Sequence, residues 1–244
     1  MDFASYTMSG DYFRCNLLEM SEPNSSAGPY GIPMRRLDTI TPPENGCFSF
    51  GLIGSTRSGK SCAMLWIWDK WFKDSHITVM TTGSAAADIY KPLQSKAAIT
   101  PAFYPELLKE SMMLCQKTKN KYKFLHIFDD MLDGKNSKAL SKLLCIGRNN
   151  GQSTIISGQE LTILNSVGRT NLNYVCLFRL NSQISVEKIV RAYLTHVLPG
   201  KNILEKCAVY TQLTQNHFFF VCDFLSNDVF LCKLDINEVP GQPG

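Results

Sequence analysis

The chain has 244 residues and a formal net charge of +4 at pH 7, and 44% of its residues are hydrophobic while 19% are charged. This balance is ordinary for a soluble globular protein, and the length fits one α/β domain with appendages. The longest uninterrupted apolar run has seven residues, which excludes a membrane-spanning helix of ~20 residues.

The cysteines are dispersed singly along the chain. There are nine, and none stands in a C-x-x-C pair. An odd and dispersed set argues against a disulfide framework and a zinc site, and is typical of buried thiols in a reducing compartment. The first residues also lack the basic start and apolar core of a secretory signal. We therefore expect an intracellular protein.

The N-terminal part of the chain is rich in Pro, Gly and Ser. Residues 21–46 hold five of the eleven prolines, a composition typical of an extended arm or linker. We therefore interpret residues 1–46 as an N-terminal segment with an arm that precedes the main domain. Such an arm is long enough to strap onto a neighbouring subunit.

Apolar runs of strand type alternate with helical stretches from residue 47 onward. The nearly continuous apolar character of the strands indicates burial on both faces, as in a parallel sheet covered by helices. The sequence therefore predicts an α/β fold with a core at 47–200. We predict strands at 47–53, 76–82, 124–129, 153–158 and 174–180, and helices at 60–73, 104–118, 137–146 and 186–197.

The C-terminal part of the chain has a different pattern. Three consecutive short strands joined by turns are predicted at 207–213, 217–223 and 229–234. We interpret residues 201–236 as an antiparallel extension at the edge of the same sheet. Residues 237–244, which include two prolines and two glycines, are expected to form a disordered tail.

A phosphate-binding loop is predicted between the first strand and the first helix of the core. Residues 54–61 fit the pattern G-x-x-x-x-G-K-[ST] at every fixed position. Glycines let successive N–H groups face phosphate oxygens, and the positive end of the following helix adds to the attraction. Lys60 is expected to reach the β- and γ-phosphates and Ser61 to bind Mg²⁺. The residues expected to contact the nucleotide are Gly54, Ser55, Thr56, Arg57, Ser58, Gly59, Lys60, Ser61 and Cys62.

ATP and Mg²⁺ are the expected ligands of this loop. The alternative is a glycine-rich turn that fits the pattern by chance. The apolar strand before the loop and the apolar helix after it favour the phosphate-binding interpretation, because both flanks are the ones that such a loop requires.

Two carboxylates end the apolar strand at 124–129. In a parallel sheet this end faces the phosphate loop. Asp129 is expected to hold Mg²⁺, directly or through water, and Asp130 to orient or deprotonate an attacking water. The alternative is a turn that places two aspartates after a buried strand. His126, within the strand, is expected to be a core histidine.

The segment 147–160 carries the third set of candidates. Its apolar strand ends in Gln159, whose amide is placed to contact the γ-phosphate or its water. Arg148 lies in the polar turn before the strand and is a candidate arginine finger for a neighbouring subunit's nucleotide. Arg169 and Arg179 are rival candidates. For each arginine, a solvated surface charge remains the alternative.

With these three blocks in order, the chain resembles the FtsK–HerA superfamily of P-loop ATPases, and within it the viral genome-packaging ATPases of large DNA viruses, poxviruses and virophages. The resemblance covers about residues 47–200. Its most specific part runs from Gly147 to Ser182. Gly158 stands where such translocases usually have Thr, and Asp130 where cellular relatives have Glu. The second difference bears on the identity of the catalytic base more than on hydrolysis itself.

The resemblance implies a RecA/FtsK-like P-loop fold and ATP hydrolysis, with Lys60, Asp129, Asp130, Gln159 and Arg148 as catalytic residues. It also implies translocation of double-stranded DNA into a preformed capsid by a homo-oligomeric ring of five or six copies. Capsid vertex proteins are the implied docking partners. The implied location is the host-cell cytoplasm at sites of viral assembly, or the virion itself.

Lysines surround the strand that ends in Asp129. Residues 117–148 hold eight basic and three acidic residues, a local charge of +5, so the rest of the chain sums to −1. A motor that moves any sequence needs phosphate contacts without base readout, which lysines supply. Lys135, Lys138 and Lys142 are the candidate DNA contacts. The lysines at 117–123 fit a solvated turn better.

Two other functional classes stay open from the residues alone. A nucleotide or metabolite kinase would need an arginine-rich lid and a pocket for a small acceptor, and no such lid is obvious in the sequence. A module that binds ATP only to assemble is disfavoured by the complete set of Lys60, Ser61, Asp129 and Asp130.

Overall fold

The computed structural model describes residues 28–83, 87–130, 138–160 and 169–241. Within these ranges the strands form one eight-stranded sheet, in the spatial order β3-β2-β4-β5-β1-β6-β7-β8. The strands are β1 Ser49–Ile53, β2 Ile77–Thr82, β3 Ala97–Thr100, β4 Phe124–Asp129, β5 Gln152–Gly158, β6 Tyr174–Leu177, β7 Phe218–Asp223 and β8 Asp228–Lys233.

The first six strands are parallel to one another. β7 is antiparallel to its neighbour β6, and β8 is antiparallel to β7. The central strands β1, β4, β5 and β6 are buried along their whole length, as their continuous apolar character predicted. The predicted α/β fold with a C-terminal antiparallel extension is therefore confirmed. The strand β3 was not predicted; it is only four residues long and lies at one edge of the sheet.

Helices cover both faces of the sheet. They are α1 Lys60–Ile67, α2 Lys91–Gln94, α3 Pro105–Lys117, α4 Lys138–Ile146, α5 Gln183–Ile189 and α6 Ile203–Leu213. Two of them continue as single π-helical turns, α1 into Trp68–Phe72 and α5 into Val190–Leu194. No helix in the described ranges is long and apolar enough to cross a membrane.

Two apolar cores lie on opposite faces of the sheet. One contains the buried side of α1 with an aromatic group around Phe50, whose ring stacks on Tyr174 at 4.8 Å between centroids. The other contains buried leucines of α4, such as Leu143, together with residues of α5 and α6. Burial of both faces fixes the register of each strand, because a shift of one residue would exchange the two faces.

The prediction of a strand at 207–213 is wrong, because this segment lies inside α6. Its buried side chains are Cys207, Tyr210 and Leu213, which are spaced by three as on one face of a helix. Asn202 caps the helix by accepting a hydrogen bond from the N–H of Glu205 at 3.0 Å. The short apolar run that suggested a strand is therefore part of the buried face of a helix.

The described part of the N-terminal segment, residues 28–46, packs against its own chain. Leu231 of β8 exchanges backbone hydrogen bonds with Pro33 and Arg35, at 2.8 and 3.0 Å. Leu37 is 1% exposed and lies in the core on the α1 face. These residues therefore extend the β8 edge of the sheet instead of leading away from it.

The prediction of a disordered tail is wrong for residues 237–241. Ile236–Glu238 form a 3₁₀ turn, and Val239 is 3% exposed in the core on the α1 face. Glu238 accepts hydrogen bonds from Arg36 at 2.7 Å and from the indole of Trp66 at 3.2 Å. One apolar and one charged side chain therefore anchor a segment whose composition suggested none. Residues 242–244 lie outside the described ranges.

Candidate nucleotide-binding site

The predicted phosphate loop connects β1 to α1 at the carboxyl edge of the parallel strands. Backbone hydrogen bonds tie it to the ends of two other strands: Gly54 N–H donates to Gly158 O at 3.0 Å, and Ser55 N–H donates to Arg179 O at 2.9 Å. The hydroxyl oxygen of Ser55 accepts from Asn181 N–H at 2.9 Å. The loop is therefore held by β5 and β6 as well as by its own flanking elements.

Both glycines of the loop are required by its geometry. A Cβ atom at Gly54 would lie 2.5 Å from Cβ of Phe178 and 2.7 Å from Oγ of Ser58, distances that real Cβ atoms do not adopt. Gly59 has a φ of +103°, a conformation that L side chains rarely adopt. The loop can therefore approach its neighbours and turn into the helix only with glycine at these two positions.

The start of α1 presents free backbone donors. The first backbone hydrogen bond of the helix is donated by the N–H of Ala63 to Gly59 O, at 3.0 Å. The N–H groups of Lys60, Ser61 and Cys62 therefore point out of the helix end. Together with the helix dipole they form a site for anionic groups such as phosphates.

Lys60 is the buried cation of the site, 6% exposed. Its ammonium donates to the loop carbonyls Gly54 O at 2.7 Å and Ser55 O at 3.0 Å. Burial lowers the pKa of Lys60, and the carboxylates of Asp130 and Asp129 act in the opposite direction. The lysine is therefore held over the loop and close to both acids.

The two predicted acids and Gln159 lie together. The register pairs Asp129 of β4 with Ser157 of β5, so residues that follow these strands are neighbours. Asp130 has a φ of +45°, and its N–H donates to Ser157 O at 3.2 Å. Burial raises the pKa of the Asp130 carboxyl, whereas the charge of Lys60 and a side-chain hydrogen bond from Gln159 lower it. The structure therefore brings these three predicted residues to one place.

Asp129 is almost fully buried and has a partner that the sequence did not indicate. Its Oδ2 atom accepts a hydrogen bond from the hydroxyl of Tyr90, in the 3₁₀ turn Asp88–Tyr90 that precedes α2. One of the two predicted Mg²⁺ ligands, Asp129, is therefore in direct contact with a buried tyrosine.

Three buried polar atoms around the loop have no hydrogen-bond partner: Ser58 Oγ, Asp129 Oδ1 and Ser157 Oγ. Within the described part of the chain the fourth such atom is the hydroxyl of Tyr193. An unpaired buried carboxylate oxygen is costly unless a cation or donor meets it. Carboxylate and hydroxyl oxygens are also the ligands that Mg²⁺ prefers. The residues present therefore fit a divalent cation.

Protein side chains alone supply few ligands for such a cation. In the ranges 28–83, 87–130, 138–160 and 169–241, no group of three or more His, Cys, Asp and Glu is placed to hold a metal ion. Mg²⁺ is usually bound by one or two protein ligands together with phosphates and water. This donor set therefore fits an ion that arrives with a nucleotide.

A cavity of about 800 Å³ adjoins the loop. One wall is formed by residues 57–62, and the other comes from Ile89, Phe178, His217 and Phe219, together with residues 233–236 and Val239. The rings of Phe178 and Phe219 stack at 4.5 Å between centroids. The size of the cavity and the largely apolar character of its second wall suit a bound small molecule with a flat ring.

The second wall of this cavity was missed by the sequence motifs. His217, Phe219 and Lys233 belong to the antiparallel extension, which reaches the loop because β7 pairs with β6, the neighbour of β1. The only sequence signal for this contact is the prediction that the C-terminal strands extend the same sheet.

The three candidate finger arginines lie in different places. Arg148 is in the 3₁₀ turn before β5, at the amino ends of the parallel strands. The phosphate loop lies at the carboxyl ends, and the seven residues of β5 separate the two ends by about 20 Å. Arg179 follows β6 beside the loop of its own chain, and its side chain is exposed. Arg169 lies near Tyr193. Burial raises the pKa of the Tyr193 hydroxyl to about 12, although the positive charge of Arg169 lowers it.

The candidate DNA-binding lysines are described only in part. Lys138 and Lys142 are exposed and one turn apart on α4, whose buried face carries Leu140, Leu143 and Leu144. Lys138 begins the helix that follows β4 and the acids. Lys135 lies outside the described residues.

The fold has relatives among solved structures. B204, the DNA-packaging ATPase from Sulfolobus turreted icosahedral virus, has a TM-score of 0.58 at 14% identity, over 77% of this chain and 98% of B204. The genome-packaging NTPase B204 from Sulfolobus turreted icosahedral virus 2, in complex with ATPγS, has a TM-score of 0.55 at 14% identity, over 76% and 96%.

A third relative is TcpA, the pCW3 conjugation coupling protein, with ATPγS. Its TM-score is 0.55 at 13% identity, over 80% of this chain and 63% of TcpA. At these identities the likeness establishes a shared fold. No curated protein sequence matches the chain.

The amino-acid sequence of the chain also matches a protein family. The family described as "Poxvirus A32 protein" matches residues 98–233, which is more than half of the chain. The matched region begins at β3 and ends at the last residue of β8, so it includes both acids and Gln159. This match confirms the resemblance inferred from the sequence motifs. The chain belongs to the Poxvirus A32 protein family.

Proposed function

We propose that the chain is an ATP-hydrolysing motor that translocates double-stranded viral DNA into a preformed capsid. One observation carries the proposal: Lys60, Asp129, Asp130 and Gln159 lie at one edge of the sheet, beside the phosphate loop, in a member of the Poxvirus A32 protein family. The solved structures described above support it, since two of them are named as packaging enzymes of viral genomes.

The loop and α1 hold the triphosphate. The N–H groups at the helix start and the ammonium of Lys60 meet the phosphate oxygens, and Lys60 exchanges its bonds with Gly54 O and Ser55 O for phosphate contacts. Because Lys60 is buried, its attraction to the developing negative charge is weakened little by solvent.

Ser61 and Asp129 would hold Mg²⁺ when the nucleotide is bound. The cation would neutralise negative charge on the phosphates. The unpaired Oδ1 atom of Asp129 supports this role, because a buried carboxylate oxygen without a donor favours a cation.

Asp130 and Gln159 act on the attacking water. Burial raises the pKa of the Asp130 carboxyl, as suits a group that accepts a proton, and the nearby charge of Lys60 acts in the opposite direction. Gln159 follows β5 beside this acid and is exposed, so it can report hydrolysis to the neighbouring surface.

The cavity beside the loop takes the nucleoside. Its aromatic pair, Phe178 and Phe219, faces the loop from the β6–β7 side of the sheet. A flat base placed there is desolvated by apolar side chains, which stabilises binding without specifying one base.

Hydrolysis requires a ring of copies, five or six in number. Arg148 cannot reach the loop of its own chain from the opposite sheet edge, so it serves a neighbour's nucleotide. Double-stranded DNA runs past Lys135, Lys138 and Lys142, and the ring docks on vertex proteins of the capsid at assembly sites in the host cytoplasm.

ATP hydrolysis measured with and without long double-stranded DNA tests this function. We expect strong stimulation by DNA, with Lys60→Ala as the inactive control. Turnover that depends on a small acceptor would identify a kinase, and binding without turnover would identify an assembly module. Either result would contradict the proposed motor.

A further inference from the structure

Tyr90 contacts the acid that we propose as an Mg²⁺ ligand. Its hydroxyl donates a hydrogen bond to Oδ2 of Asp129. The tyrosine is 3% exposed. It therefore lies inside the site, between the phosphate loop and the first acid, although no motif of the sequence includes it.

The direction of this bond follows from the available protons. An ionised carboxylate only accepts, so Tyr90 gives its one hydroxyl proton to Asp129. In Asp129, Oδ2 is engaged while Oδ1 is buried and unpaired.

We infer that Tyr90 is a positioning residue for Mg²⁺, which holds Oδ2 of the Asp129 carboxylate through a hydrogen bond and so leaves the buried, unpaired Oδ1 available to the ion. This rests on the proposed ATP and Mg²⁺ site. Groups that orient metal ligands from outside the coordination sphere typically change metal affinity 10–100-fold when they are removed.

The local structure fixes Tyr90 for this role. The Tyr90 N–H donates to Ala87 O at 3.0 Å and closes the 3₁₀ turn, and α2 with Pro92 follows directly. The ring packs in the core on the α1 face. Ile89, the preceding residue, lines the cavity beside the loop. One short turn therefore contacts both the nucleoside cavity and the carboxylate of Asp129.

The test is the Mg²⁺ dependence of nucleotide binding in Tyr90→Phe, which keeps the ring and removes only the hydroxyl. The affinity of a fluorescent ATP analogue is measured over a series of free Mg²⁺ concentrations and in EDTA. We expect the variant to need at least ~10-fold more Mg²⁺ for the half-maximal gain in affinity. The affinity in EDTA should equal that of the parent.

Tyr174→Phe is the matched control. Tyr174 is also buried, and its hydroxyl donates to Thr41 O at 3.1 Å, away from the loop. This variant loses one buried hydrogen bond and should keep the Mg²⁺ midpoint of the parent. Thermal unfolding of both variants reports the stability cost of the lost hydroxyl separately from the metal effect.

Four results would overturn the inference. An unchanged Mg²⁺ midpoint in Tyr90→Phe, or an equal shift in Tyr174→Phe, would reduce Tyr90 to a structural residue. A lower Mg²⁺ requirement in Tyr90→Phe would mean that the hydroxyl obstructs the ion. A parent protein that binds the analogue equally well in EDTA and in Mg²⁺ would remove the metal site itself, and with it this part of the proposed function.

Discussion

Asp129 of β4 and Ser157 of β5 are partners in the register of the sheet, so the residues that follow the two strands lie side by side. The backbone N–H of Asp130 donates to Ser157 O at 3.2 Å. Burial raises the pKa of the Asp130 carboxyl, and Lys60 and Gln159 lie close enough to lower it.

Replacement of Asp130 by Asn tests its role as the proton acceptor. Asn tolerates the positive φ of +45° at this position and keeps the shape of the side chain, but it cannot accept a proton. We predict a fall in the rate of ATP hydrolysis of about 10²–10⁴-fold, with nucleotide affinity changed by only a few-fold.

Asp228→Asn is the control for Asp130→Asn, because Asp228 pairs with Arg35 at the β8 edge. It should hydrolyse ATP at the parent rate. Parent-like hydrolysis by Asp130→Asn would show that another group accepts the proton.

Arg148 is predicted to act on the nucleotide of a neighbouring copy. Arg148→Ala should lose about 10³–10⁵ in hydrolysis rate, because a finger stabilises charge in the transition state. A mixture of Arg148→Ala with Lys60→Ala should recover part of the activity, since an intact loop in one copy meets an intact finger in the next.

Arg179→Ala provides the contrast in the same mixing experiment. Arg179 lies beside the loop of its own chain, so its loss should not be rescued by Lys60→Ala. Recovery with Arg179→Ala and none with Arg148→Ala would reverse the assignment of the finger.

The lysines after β4 are predicted to contact DNA phosphates. The double substitution of Lys135 and Lys138 by Ala should weaken binding to double-stranded DNA and lower the dependence of log K on log salt by about 2, while basal hydrolysis is unchanged. Lys188→Ala with Lys201→Ala, two exposed lysines elsewhere, is the control. Equal salt slopes for the first pair and the parent protein would contradict the prediction.

A buried histidine makes stability sensitive to acid. His126 is 1% exposed, its Nε2 donates to Gln152 Oε1 at 2.8 Å, and burial lowers its pKa to about 4 from 6.5. Between these values the unfolded chain binds a proton that the folded chain does not, so stability falls as the pH falls.

The predicted loss from His126 is about 2 kcal/mol between pH 6.5 and 5, by the relation of 1.36 kcal/mol per pKa unit. Urea unfolding of the parent and of His126→Gln at both pH values measures it. The variant should lose less stability on acidification, whereas the exposed His196→Gln should behave as the parent does. Equal losses in parent and His126→Gln would contradict the assignment.

The part of the site that was predictable consists of short local patterns at strand ends. The loop, the acids and Gln159 each follow an apolar run, and a parallel sheet gathers such ends at one edge. These positions can therefore be predicted without knowing which distant residues contact each other.

The rest depends on tertiary contacts that local patterns do not encode. Tyr90 comes from a short turn without periodicity, and His217 reaches the loop only through the pairing of β7 with β6. The segment of α6 was predicted as a strand from its apolar composition. Its cap at Asn202 and the burial of Cys207 and Tyr210 on one face of the helix outweigh that composition.

The central claim is that ATP hydrolysis moves the protein along double-stranded DNA. The most direct measurement is the displacement of a triplex-forming strand from long duplex DNA in the presence of ATP and Mg²⁺. We predict displacement by the parent protein, and none with a non-hydrolysable ATP analogue or with Lys60→Ala. DNA-stimulated hydrolysis without displacement of the third strand would contradict the account, because it would describe an ATPase that binds DNA but does not move along it.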